Sequence, residues 1–151
     1  MLPFYVMVAG ILVARGLGAA GWTPLDDWKI ATRCGLSLMF FFTAAAHFSR
    51  RTRGDLIRMV PPSLPRPDLA VTLTGIAELA GAAGLLTALA PLAAVGLMLL
   101  LVAMFPANIH AARIDHRIGG QPHTRMVVRA PLQLLWIGLL WWCAAGAALA
   151  S

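Results

Sequence analysis

The residues able to do chemistry in this sequence are a few polar side chains set inside long apolar runs. Glu78 stands between Gly75-Ile76-Ala77 and Leu79-Ala80-Gly81, ten residues beyond Asp68, a rise of about 15 Å along a helix. Ionisable groups at such depth in a membrane are costly and count as functional candidates. A carboxyl group there must be held by donors or carry its proton. Thr74, Gly75, Gly81, Ala82 and Leu85 share its helical face, which is small and polar enough to meet a neighbour or line a cavity. His47 closes another apolar run, with Thr43 and Phe40 one and two turns before it, and Asn108 and His110 close a third. Arg129 and Gln133 open the last run, where they repeat with Trp136, Leu140 and Cys143 at spacings of four and three on one side of a helix. His47, Asn108, Arg129 and Gln133 are therefore expected to converge, with Glu78 deeper, around a small-molecule ligand. Equally open is an interhelical hydrogen-bond cluster without a ligand, each bond contributing around 0.6 kcal/mol.

Other chemistries find less support. Cys34 and Cys143 do not form a C-x-x-C motif, and on a helical wheel Cys34 points away from the face of His47, so both are expected as packing thiols. The four histidines, His47, His110, His116 and His123, belong to no H-E-x-x-H or Cys/His cluster, and no metal site is expected. No phosphate-binding loop, dinucleotide fingerprint or nucleophile motif is present. No cofactor is evident from motifs.

The elements that must position these groups are apolar helices. Hydrophobic residues make up 60% of the 151 positions and charged residues 12%, half the usual charged share of a soluble domain. They fall into five blocks, Leu2–Ala20, Ile30–Phe48, Leu69–Leu89, Leu92–His110 and Val128–Leu149, each close to the length of about twenty residues that crosses a bilayer. A net charge of +6 raises the possibility of nucleic-acid binding, but the charges sit between the blocks, so no nucleic-acid partner is expected. Arg50, Arg51, Arg53, Arg58 and Arg66 lie in the second connection, and Arg113, Arg117, Arg125 and Arg129 in or beside the fourth, against Lys29 and Arg33 by the first. Nine against two predicts a multi-pass protein of the cytoplasmic (inner) membrane, N-terminus inside and C-terminus outside.

Within this frame, several local expectations follow. The first block is read as a helix and not as a cleaved signal, since no basic residue precedes it, and Arg15 near its end is expected to snorkel or to pair with Asp26 or Asp27. Ser49–Asp68 is expected to be either a plain basic loop or a shaped lid: Leu56, Ile57, Met59 and Val60 among Arg53, Asp55 and Arg58 suit a short surface helix, and Pro61, Pro62, Pro65 and Pro67 then forbid regular helix. The next helix is expected to start with Asp68 as its N-cap. Ala77 with Gly81 and Ala80 with Gly84 are expected to mark its packing face, and Pro106 to kink or loosen the last turn of the fourth block.

Taken in order, Ala46-His47-Phe48, Met59-Val60-Pro61-Pro62-Ser63-Leu64-Pro65, Gly75-Ile76-Ala77-Glu78-Leu79, Phe105-Pro106-Ala107-Asn108 and Arg129-Ala130-Pro131-Leu132-Gln133 resemble the DoxX family of small membrane proteins, from about Asp27 to Trp142. The resemblance implies an all-α membrane protein, a four-helix transmembrane bundle over residues 29–151, with residues 1–28 adding an N-terminal span, five in all. It also implies a link to quinone and thiol redox systems, so that a quinone is a possible ligand and a membrane or redox protein a possible partner. Distant relatives resemble assembly factors, which leaves a non-catalytic scaffold as the alternative.

Overall fold

The computed structural model describes residues 1–114, 117–118, 120–122 and 126–145. They form six α-helices: α1 (Leu2–Ala19), α2 (Trp28–Phe48), α3 (Arg53–Met59), α4 (Pro67–Gly84), α5 (Ala90–Arg113) and α6 (Met126–Ala145). A 3-10 turn at Thr23–Asp26 joins α1 to α2, and residues 117–118 pair antiparallel with residues 121–122 in a minimal hairpin. His116, His123 and Arg125 lie outside the described residues. Helices α1, α2, α5 and α6 are long and apolar enough to cross a membrane, and this is a membrane protein. The expected fifth span, α4, is not among them; Asp68, Thr72, Thr74 and Glu78 dilute its apolar character.

Helices α1 and α2 meet backbone to backbone. A Cβ on Gly10 would lie 2.9 Å from the Gly35 Cα, so the pair needs glycine on both sides. At the far end of α1 the two acidic candidates divide their roles: Asp26 takes the Arg15 guanidinium at 2.6 Å, whereas Asp27 caps α2 by accepting from the Lys29 and Ile30 amides at 2.8 and 2.9 Å. Arg15 also lies over the Trp28 ring.

Helix α4 differs from expectation at both ends. It begins at Pro67, whose fixed φ suits a first helical turn, and its N-cap is Arg66 in the left-handed region at φ 55°, with no side-chain cap; Asp68 is already inside the first turn. It stops at Gly84, and Leu85–Leu89 forms the connection, in which the Thr87 amide donates to the Gly84 carbonyl and the Thr87 hydroxyl accepts from the Leu89 amide. The packing face also differs. Val71, Gly75, Glu78, Ala82 and Leu85 are buried, while Ala77 and Ala80 are exposed. Gly81 and Gly84 do sit against α5, where Cβ atoms would meet Leu97 and Ala93.

Helix α5 continues through Pro106 to Arg113. Proline has no N–H, so the Val102 carbonyl one turn earlier loses its usual donor. The core joins Leu36, Met39 and Phe40 of α2, Ala82 of α4, Leu97 and Leu101 of α5, and Leu140 and Cys143 of α6. Outside it, large apolar side chains such as Leu99, Leu134 and Trp141 are exposed, as suits contact with lipid.

Candidate ligand-binding site

Glu78, His47, Asn108, Arg129 and Gln133 all line one cavity of about 540 Å³, within the size range of small-molecule sites. Helices α2 and α4 supply one polar group of its wall. The Thr43 hydroxyl donates to Glu78 Oε2 at 2.9 Å and has the Phe40 carbonyl as a second acceptor at 3.1 Å. His47 Nδ1 lies 2.8 Å from the Val71 carbonyl oxygen. A carbonyl only accepts, so Nδ1 carries the hydrogen and Nε2 of the neutral ring is an acceptor. Nε2 stands 3.9 Å from Glu78 Oε2, too far for a direct hydrogen bond, and a single hydroxyl oxygen can bridge the two at about 2.8 Å from each.

Packing sets the position of His47. A Cβ on Gly75 would lie 2.7 Å from the His47 Cβ, so glycine is what lets α4 approach the imidazole. Arg53 of α3 donates to the His47 carbonyl at 3.0 Å, to the Thr72 hydroxyl at 2.8 Å and to the Asp68 carbonyl at 3.2 Å, tying the end of α2 to the start of α4. The Thr52 hydroxyl adds a bond to the Ala46 carbonyl.

Helices α5 and α6 supply the second polar group. Gln133 Nε2 donates to the Leu101 carbonyl at 2.8 Å, and Asn108 Nδ2 reaches Gln133 Oε1 at 3.4 Å. With its amide nitrogen anchored, Gln133 is held in one orientation. Asn108 keeps its own carbonyl oxygen, for which no bond appears among the described residues. Trp136, also in the wall, has its indole N–H buried without a hydrogen-bond partner among the described residues. Between the polar groups the wall is apolar, with Met39, Phe40, Leu101 and Met104.

Residues 49–68, the hairpin and the start of the chain complete the wall. Leu56 and Met59 of α3, then Val60 and Leu64, line one side, so the segment 49–68 forms part of the wall. Ile118 of the hairpin, Met1, and Pro3 and Phe4 of α1 also contribute. His110 is half-buried and is not in the wall. The cysteines stand apart from it: both are free, Cys143 buried and Cys34 half-buried, and the Cys143 carbonyl accepts from Arg33 at 3.0 Å. Among the described residues, no three His, Cys, Asp or Glu side chains gather as a metal site would require.

Comparison with known proteins yields one finding. A family model described as "Domain of unknown function (DUF8561)" matches residues 36–144, from within α2 to the last turn of α6. Neither a curated protein nor a solved structure matches the chain.

Proposed function

The chain belongs to the DUF8561 family, and we propose that it binds a lipophilic small molecule with an oxygen-bearing head group inside the membrane. The observation that carries this reading is the cavity itself: an apolar chamber with Glu78 and His47 on one pair of helices and Asn108, Arg129 and Gln133 on the other. A pocket of this kind buries an apolar body and orients it by a few polar contacts. A hydroxyl of the ligand, as in the reduced quinol form of a quinone, takes the place between Glu78 and His47, where it donates to His47 Nε2, accepts from a Glu78 carboxyl that carries its proton, and can exchange a proton with either. The resemblance to DoxX proteins makes a quinone the candidate, bound by this protein alone or as the membrane subunit of a redox complex.

This reading includes α4 as a fifth span. Its outer face exposes Leu69, Leu73 and Ile76, apolar side chains that lipid would cover, and its 18 residues extend about 27 Å. Five crossings and the basic residues of the second and fourth connections then put the N-terminus in the cytoplasm. Reporter fusions after Gly54 and Gly120 are expected to read cytoplasmic and one at Ser151 external; a cytoplasmic reading at Ser151 would remove one span or reverse the orientation.

A second reading, a scaffold that grips other membrane helices, draws on exposed Ala77 and Ala80, small residues that permit close helix approach. Native mass spectrometry of the gently extracted protein separates the two. The ligand reading predicts a retained lipophilic adduct that weakens in Glu78→Gln. A stable partner protein with no small-molecule adduct would favour the scaffold.

A further inference from the structure

The family match begins at residue 36, so α1 lies outside it, yet α1 contributes Pro3 and Phe4, and its N-cap Met1, to the cavity wall. Helix α1 is fastened to α2 at its middle, where Gly10 meets Gly35, and to the 3-10 turn at its far end, where Arg15 bonds Asp26. The short connection folds α1 back along α2, so its first turn lies beside the later half of α2, where Met39, Phe42 and Thr43 also line the cavity. Among the described residues, its extensive packing is with α2 and the 3-10 turn. Phe4 is half-buried against the core, while its neighbours Leu2 and Tyr5 are each 60% exposed. One flank of the chamber is therefore closed by the first turn of α1, which lies beyond the Gly10–Gly35 and Arg15–Asp26 contacts, with the Phe4 ring on the cavity side and lipid-facing side chains on the other.

We propose that this turn is a lateral portal: the lipophilic ligand enters from the bilayer past Phe4, and the Phe4 ring limits the width of the molecule admitted. The inference rests on the reading that the cavity binds such a molecule. Removing the ring opens the flank to the hydrocarbon and widens the chamber beside Met39 and Phe42. The exposed face of the same helix has no such role, and Leu12, 64% exposed, serves as the control position.

The test uses the full chain in lipid nanodiscs and two probes with the same phenol head, n-octyl 4-hydroxybenzoate and the bulkier 1-adamantylmethyl 4-hydroxybenzoate. The parent is expected to take up the octyl ester faster, and Phe4→Ala to shift the ratio of association rate constants towards the adamantyl ester by about tenfold. Phe4→Leu, which keeps an apolar filling and guards against loss of fold, is expected to shift it in the same direction but less, and Leu12→Ala to leave it unchanged. Equal ratios in the parent and both Phe4 variants, with the octyl ester bound, overturn the portal and leave the ligand reading standing. Failure of the parent to bind either ester counts against both.

Discussion

Replacing Glu78 separates a ligand group from interhelical glue. In Glu78→Leu the bond from Thr43 is lost, but the hydroxyl turns to the Phe40 carbonyl 3.1 Å away, and His47 keeps its bond to Val71. No donor of the pair is stranded. The cost to folding is then about one interhelical hydrogen bond, around 0.6 kcal/mol, and Glu78→Gln, which keeps an acceptor for Thr43, should cost less still. Ligand binding responds differently. Loss of one hydrogen bond to the head group is worth about 1 kcal/mol, roughly fivefold in affinity, and Gln keeps the shape while removing proton exchange. Melting temperature in detergent and octyl 4-hydroxybenzoate affinity are to be measured on parent, Gln and Leu forms. Near-parental melting with weakened binding is the expected result. A Leu form that melts far below the parent while binding the ester normally would refute the reasoning and assign Glu78 to structure alone.

Other substitutions probe how the site is held. Gly75→Ala pushes a methyl group to 2.7 Å from the His47 Cβ and is expected to destabilise by about 1 to 3 kcal/mol and to weaken ester binding; thermal melting and titration check both. Arg53→Met removes three bonds that join α3 to the ends of α2 and α4, and is expected to expose residues 52–66 to limited proteolysis while the spans stay protected. Cys34→Ala with Cys143→Ala is expected to retain the fold and ester binding, with a cost of about 1 kcal/mol arising mainly at the fully buried Cys143. Loss of binding in that double variant would contradict the assignment of both as packing residues.

The parts of this molecule that are legible in its sequence are those where polarity or periodicity breaks an apolar background. The stripe Arg129, Gln133, Trp136, Leu140 and Cys143 follows from helical spacing, and the cavity does draw on Arg129, Gln133 and Trp136. Thr43 beneath His47 was likewise readable. Small residues are less informative, because Ala77, Ala80, Gly81 and Gly84 look alike in sequence, yet the glycines sit against α5 while both alanines are exposed. The end of α4 was hidden because Leu85 and Leu86 continue its apolar run, although Thr87 and Pro91 mark the turn and the next helix start. Asp68 is a good cap by type, but Pro67 already occupies the first helical position, so the cap falls on Arg66. Nothing in α1 signals that Phe4 reaches the cavity, since an apolar side chain looks the same whether it faces lipid or ligand.

The claim at the centre of this account, that the chamber between α2, α4, α5 and α6 takes up a lipophilic ligand, is tested most directly by photolabelling in nanodiscs. The probe is an alkyl 4-hydroxybenzoate carrying a diazirine, mapped by peptide mass spectrometry with and without excess unlabelled octyl ester. Competed adducts within Met39–His47, Val71–Glu78 and Leu101–Asn108 are the predicted result. Adducts confined to lipid-facing positions such as Leu99 and Leu134, and insensitive to the competitor, would contradict it.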